Sequence, residues 1–329
     1  MHKAEYYRPE EDNKLKCLLC PHECLISLNK RGICQGRLNQ EGELITENYG
    51  MVSSLGIDPI EKKPLYHFYP GREVLSVGTF GCNFRCEFCQ NWQISQEKPE
   101  LREILPTDLV KLALDRETLG IAYTYSEPSV WYEYILDASR LARKQGLQNI
   151  LVTNGYLNQE PLKELLPYLD GVNIDLKSFT EDFYHRVCGG HLEPVLENIK
   201  LIAASEDTHL ELTTLIIPGL NDSTEELKDL FSWVKGVGAD IPLHLSRYFP
   251  RYRLQKPPTP VKRMEETYNL AKEYLDYVYL GNLRTDYGSN TICPQCREIV
   301  IIREGYYVDN KLDGDKCPVC GKEISGVFQ

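Results

Sequence analysis

Apolar and polar positions change rhythm twice along the 329-residue chain. Between residues 74 and about 288, short apolar runs alternate with stretches of helical periodicity. Buried parallel strands read as short, nearly continuous apolar runs. On that basis strands are expected at Val74–Gly78, Ile121–Tyr125, Gln148–Thr153, Gly171–Leu176, His209–Ile217, Pro242–Ser246 and Tyr277–Leu280. Helices are expected to open at Pro106 with Thr107 as cap, and to cover Val130–Gln145, Glu160–Tyr168, Pro194–Ala204, Ser223–Lys235 and Val261–Leu275. Residues 1–73 show little regular periodicity, and residues 289–329 form a short cysteine-rich tail.

Six or seven β-then-α units in one stretch imply an α/β domain whose parallel sheet curls into a partial or full barrel. No GxGxxG segment follows the first strand, so a doubly wound dinucleotide-binding sheet is the weaker fit. Function in such a barrel sits at the C-terminal strand ends. The chemically active residue types fall there: Cys82–Cys89, Ser126–Glu127–Pro128, Asn154–Gly155, Lys177–Ser178, Pro218–Asp222 and Arg247.

The composition, 42% hydrophobic and 26% charged, is that of an ordinary globular protein. The formal charge of −11 argues against nonspecific binding along a phosphate backbone. The polar first sixteen residues lack the apolar centre of a secretory signal, and no apolar run is long enough to span a bilayer. A cytoplasmic location is expected.

In that compartment disulfides rarely persist, so the twelve cysteines need another explanation. Eleven fall into three tight clusters: Cys17, Cys20, Cys24, Cys34; Cys82, Cys86, Cys89; and Cys293, Cys296, Cys317, Cys320. Such spacing is how thiolates surround a metal. Cys188 stands apart, and it, His67 and His185 join no constellation.

The central segment reads Gly81-Cys82-Asn83-Phe84-Arg85-Cys86-Glu87-Phe88-Cys89-Gln90-Asn91-Trp92. Three thiolates at C-x3-C-x2-C suit three irons of a [4Fe–4S] cube. With no fourth cysteine nearby, one iron would keep a position for a small molecule. Phe84 and Phe88 would supply an apolar shell. A zinc site is the alternative occupant.

This triad, with an aromatic residue before its third cysteine and a place after the first barrel strand, resembles that of the radical S-adenosylmethionine (SAM) superfamily. The resemblance implies that the open iron chelates the amino and carboxylate groups of SAM. One electron then cleaves a C–S bond to methionine and a 5′-deoxyadenosyl radical, which abstracts hydrogen from a substrate. It implies an oxidoreductase-type enzyme working anaerobically with a low-potential donor, ferredoxin or flavodoxin. Tyr125-Ser126-Glu127-Pro128 stands where the superfamily often carries Gly-Gly-Glu-Pro, which places Ser126 and Glu127 at the amino end of SAM. Val152-Thr153-Asn154-Gly155 and Asp175-Leu176-Lys177 resemble the Asp-Thr-Asn-Gly and Asp-Leu-Lys segments of glycyl-radical-enzyme activases. By that likeness Asn154, Asp175 and Lys177 contact cofactor or substrate, while Val152 departs from the activases' cation-binding aspartate. Ile217–Asp222 resembles the loop beside the adenine.

Near the end of a late strand, His244 and Arg247 are read as lining a substrate mouth with Tyr248, Arg251 and Tyr252, since Arg suits a carboxylate or phosphate. In the tail, Cys293-Pro294-Gln295-Cys296 and Cys317-Pro318-Val319-Cys320 form two knuckles at zinc-ribbon spacing, with zinc favoured over rubredoxin-type iron. The head cysteines Cys17, Cys20, Cys24 and Cys34 suit zinc or an auxiliary iron–sulfur cluster, and sequence does not decide between them.

Head, triad, Tyr-Ser-Glu-Pro turn and ribbon together resemble the AmmeMemoRadiSam-system radical enzymes, a group similar to pyruvate formate-lyase activating enzyme. The partners this implies are proteins of that system or a glycyl radical enzyme. Its substrate would be a small molecule or a protein. Two other readings stay open: a non-catalytic metal-stabilised binding protein, and an RNA-modifying enzyme, against which the acidic charge argues.

Overall fold

The computed structural model describes residues 2–285 and 287–329. Eight strands form one sheet: β1 (Ser54–Pro59), β2 (Glu73–Gly78), β3 (Gly120–Tyr123), β4 (Gln148–Thr153), β5 (Gly171–Asp175), β6 (His209–Ile216), β7 (Leu243–Arg247) and β8 (Val278–Gly281). They lie side by side in chain order. β2 to β8 are parallel, and β1 joins the edge antiparallel to β2. No β1–β8 pairing exists among the described residues, so the barrel is partial.

Helices α1 (Pro106–Asp115), α2 (Tyr132–Lys144), α3 (Gln159–Leu165), α4 (Glu193–Ala203), α5 (Thr224–Val237) and α6 (Val261–Ala271) follow β2 to β7 in turn. Each presents one apolar stripe to the sheet, as a crossover helix must. In α2 that stripe holds Ile135, Leu136, Ala138 and Ala142, all fully buried. Each such Ile or Leu contributes about 1.5–3 kcal/mol by leaving water. The seven expected strands are all present, with ends differing by one or two residues. At α1 the cap differs: Pro106 is the first helical residue and Leu105 precedes it in extended conformation, so Thr107 lies inside the first turn. Pro at the first position fixes φ and gives up an N–H that has no partner there. Ser223 caps α5 through the Glu226 N–H.

The head is more ordered than its periodicity suggests. Two small antiparallel sheets, built on Glu43–Thr46 and on Leu15–Cys17, precede β1. β1 itself belongs to the barrel sheet although it lies before residue 74. The segment that follows β1 plugs the barrel floor, where Ile60, Leu65 and Phe68 cluster with Val74, Ala122 and Ile150.

A polar network seals the same floor. Glu211 is fully buried and accepts hydrogen bonds from His67 N (2.7 Å), His209 Nε2 (3.0 Å) and His244 Nε2 (2.6 Å). His67 Nε2 lies 2.5 Å from Tyr279 Oη, and Tyr279 bonds Thr291 at 2.8 Å. Arg303 of the tail reaches Thr291 and the Tyr66 carbonyl. His67, which joins no motif in the sequence, thus ties barrel to tail. The tail is a three-stranded antiparallel sheet carrying the last four cysteines in a zinc-ribbon-like arrangement.

Candidate active site

At the C-terminal end of the sheet lies an open cavity of about 260 Å³. Cys82, Cys86 and Cys89 wall it from the loop after β2. Ser126 and Glu127 follow β3, Asn154 follows β4, Asp175 ends β5 with Lys177 just beyond, and Ser246 and Asn282 come from β7 and β8. Phe84 and Phe88 are buried beside the cysteines. Every cofactor-contact residue expected from sequence therefore reaches one space.

Each cysteine sulfur has its own polar neighbour. Phe84 N donates to Cys82 Sγ at 3.3 Å, and Asn154 Nδ2 stands 3.9 Å from it. Ser95 Oγ lies 3.2 Å from Cys89 Sγ. The thiol of Cys188, fully buried, neighbours Cys86. That neighbour, aided by the Lys177 charge, holds the Cys86 thiol below its usual range, whereas burial and the nearby Glu127 push Cys82 well up. Cys188 is the residue that sequence reasoning missed. It is about a hundred residues from the triad, and backbone bonds from Arg85 N to the Cys188 carbonyl (2.7 Å) and from Glu87 N to the Val187 carbonyl (3.1 Å) bring the two segments together.

Glu127 and Asn154 are braces as well as wall. Burial raises the Glu127 carboxyl, and it accepts from Thr153 Oγ1 (2.6 Å), Asn154 N (2.8 Å) and Ser129 N (3.0 Å). Those bonds lock the turn after β3 to the end of β4. Asn154 donates to Asn83 Oδ1 at 2.8 Å and so fixes the cysteine loop. Ser126 Oγ, by contrast, is buried without a partner and free for a ligand. Lys177 is largely buried and pairs with Asp175 Oδ2 at 2.8 Å. Burial would lower its ammonium pKa most, but Asp175, Cys86 and Cys188 together outweigh burial and raise it.

The expected substrate mouth needs correction. His244 does not line the cavity; it lies at the barrel floor, bonded to Glu211 and flanked by Tyr66 and Tyr279. His244 and Ser246 are two positions apart, so their side chains share a face, but His244 sits one layer deeper. Arg247 points elsewhere and donates to the Thr259 carbonyl at 2.7 Å. Tyr248 is buried and bonds the Leu254 carbonyl. Tyr252 does reach the triad loop, stacking on Trp92 at 5.2 Å between ring centroids. Asn221 of the expected adenine loop serves as a strut, donating to the Lys177 carbonyl at 2.6 Å. Val152 packs against the apolar floor cluster rather than the cavity.

Three thiols, an open cavity and no fourth cysteine in its wall fit a cluster with one iron left for a ligand. A single ion fits poorly. Tetrahedral zinc at about 2.3 Å from each sulfur sets sulfurs about 3.8 Å apart. Among the described residues, only Cys293, Cys296, Cys317 and Cys320 bring their metal-binding atoms within 4.8 Å of one another, with Cys293–Cys320 and Cys296–Cys317 each 3.6 Å apart. The tail site thus has the geometry zinc requires, and the triad does not.

Partial barrel and cysteine-walled rim define the class: the chain belongs to the radical SAM superfamily, whose family model matches residues 76–233. It is a radical SAM enzyme, using a [4Fe–4S] cluster and SAM. Along its whole length it is 44% identical to a full-length Methanocaldococcus jannaschii protein described as "Uncharacterized protein MJ0808". It is 25% identical to the pyruvate formate-lyase-activating enzyme of Clostridium pasteurianum, over 48% of this chain and 67% of that one. Streptococcus suis SuiB bound to SAM shares the fold, with a TM-score of 0.52 at 12% identity over 68% of this chain and 53% of that chain. No helix among the described residues is long and apolar enough to cross a membrane.

Proposed function

We propose that Cys82, Cys86 and Cys89 hold the cluster, that SAM binds in the cavity beside them, and that the substrate is a small molecule or protein of the AmmeMemoRadiSam system. The carrying observation is that three cysteines, an unpartnered Ser126 hydroxyl and the Lys177 ammonium converge on one cavity. When bound, cluster and cofactor supply a 5′-deoxyadenosyl radical, made with one electron from a ferredoxin- or flavodoxin-type donor, that removes a hydrogen atom from the substrate.

The chain's own residues bind and shield. Lys177 offers a fixed positive charge to the SAM carboxylate. Ser126 and the Tyr125–Glu127 turn offer oxygen acceptors to its ammonium. Phe84 and Phe88 keep water from the sulfurs, and the Cys188 thiol supports Cys86. Asn154 and Glu127 keep the rim rigid so that these groups stay aligned.

A second reading, activation of a glycyl radical enzyme, draws on the Asp175-Leu176-Lys177 segment and the activating-enzyme relative. Val152, turned into the apolar floor, removes one acid that such activases use, and favours the first reading. The test is anaerobic. Protein reconstituted with iron and sulfide, reduced and given SAM should release 5′-deoxyadenosine, and Cys86→Ala should release none. A zinc-filled triad that binds no SAM would overturn the proposal. A glycine-centred EPR doublet on a glycyl radical enzyme would shift it to the second reading.

A further inference from the structure

The head cysteines, outside the active-site wall, also converge. Cys17, Cys20, Cys24 and Cys34 line one small pocket, together with Ile26, Ile33 and Val130. All four are free thiols, and three are buried. Their spacing is distinctive. No three of their sulfurs lie within 4.8 Å of one another, although the tail cysteines do. No pair of head sulfurs makes the 3.6 Å contact seen twice in the tail. One zinc ion draws four sulfurs to about 3.8 Å. A [2Fe–2S] rhomb also brings them together in close pairs, two on each iron. A [4Fe–4S] cube spreads them, because each sulfur sits beyond a different corner iron.

A further feature marks the cavity as a ligand site. Arg37 also lines the cavity with its side chain only 1% exposed. Its Nη2 pairs with Glu133 at 2.6 Å, but its Nε is buried with no partner. A buried donor without an acceptor is costly unless something in the cavity accepts its proton.

We propose that Cys17, Cys20, Cys24 and Cys34 bind a second [4Fe–4S] cluster, fully ligated by protein, with Arg37 Nε donating to it. Four thiolates leave no iron open, so this cluster binds no SAM. It abuts the active-site loop: a Cβ at Gly81 would fall 2.4 Å from the Cys34 carbonyl oxygen, and His22 Nε2 lies 2.7 Å from the Asn83 carbonyl. Gly81, with φ of +94°, is what lets the two loops touch.

The test keeps the head intact and removes the triad. Full-length Cys82→Ser/Cys86→Ser/Cys89→Ser protein, reconstituted anaerobically, should retain about half the iron and sulfide of the parent and show a [4Fe–4S] EPR signal on reduction. Adding Cys17→Ser/Cys20→Ser/Cys24→Ser should abolish that signal, while the tail metal, read by elemental analysis, stays unchanged and reports that the chain is folded. Zinc in place of iron in the triad variant, two irons with a [2Fe–2S] spectrum, or no metal beyond that of the tail would each overturn the proposal. None of these readouts depends on SAM cleavage, so the site stands or falls apart from the proposed reaction.

Discussion

The Tyr125 hydroxyl donates to Asp58 Oδ2 at 2.7 Å, joining the turn after β3 to the edge strand β1. Tyr125 stands where the superfamily often has glycine, and its φ of +72° is the left-handed conformation glycine favours. A non-glycine residue there costs about 1–2 kcal/mol. The hydroxyl bond and the Lys63 ammonium, 4.8 Å from the ring centroid, offset that cost and hold the backbone of Ser126 and Glu127 in place. Tyr125→Phe should lower unfolding stability by about 1 kcal/mol and weaken SAM binding modestly. Urea denaturation and equilibrium dialysis measure the two; unchanged stability would show that the bond contributes nothing.

Asp58 should also leave a signature in acid. Burial alone would raise its carboxyl, but hydrogen bonds from Lys63 and Tyr125 override burial and hold it well below the usual range. Its folded pKa is depressed, so its contribution is full above the unfolded value of about 3.9 and is lost as pH falls toward the folded value. Stability of the parent should therefore drop more steeply below about pH 4 than that of Asp58→Asn. Parallel curves in acid urea titrations would refute this.

The buried Cys188 thiol neighbours Cys86 and has an S–H to donate to a cluster held there. Hydrogen bonds to cluster sulfur stabilise the reduced, more negative state. Cys188→Ala should keep the active-site iron but shift its midpoint potential downward, and Cys188→Ser, which still donates, should shift it less. An EPR-monitored redox titration reads both. Equal potentials in all three proteins would leave Cys188 as packing alone.

Lys177 is the cation expected to meet the SAM carboxylate. Lys177→Met keeps the length and apolar stem but removes the charge, and affinity for SAM should fall about 10–100-fold, the range of a charge-assisted hydrogen bond. The reconstituted iron content should not change. Undiminished binding would mean the ammonium serves only Asp175, which it pairs at 2.8 Å.

For the tail, removing metal should be local. Cys317→Ser should release one bound zinc per chain and lower the melting temperature, because Thr291 and Arg303 of the tail sheet bond Tyr279 and Tyr66 of the barrel side. 5′-Deoxyadenosine formation at low temperature should survive. Its complete loss would mean that the ribbon shapes the active site.

Much of the site was legible because its groups are local in sequence. Cys82, Cys86 and Cys89 share one loop, and the strand-end rule carries Glu127, Asn154 and Lys177 to the same rim. His244 misled because alternation along a strand tells which face a side chain takes but not how deep it lies. Its depth was set by Glu211 on the neighbouring strand, a partner 33 residues away. Arg247 misled differently: its guanidinium is taken up by a carbonyl of a later loop, that of Thr259.

The sequence by itself determined the strand and helix order, the three thiol clusters and the face of the barrel that does the chemistry. Periodicity and short-range spacing encode these, and neither needs knowledge of distant contacts. Only the tertiary structure decided that Cys188 backs Cys86, that β1 from the head closes one sheet edge, and that the head sulfurs stand further apart than the tail sulfurs. Those outcomes depend on distances between segments far apart in the chain, which folding fixes through the summed packing of the whole core rather than through any local pattern.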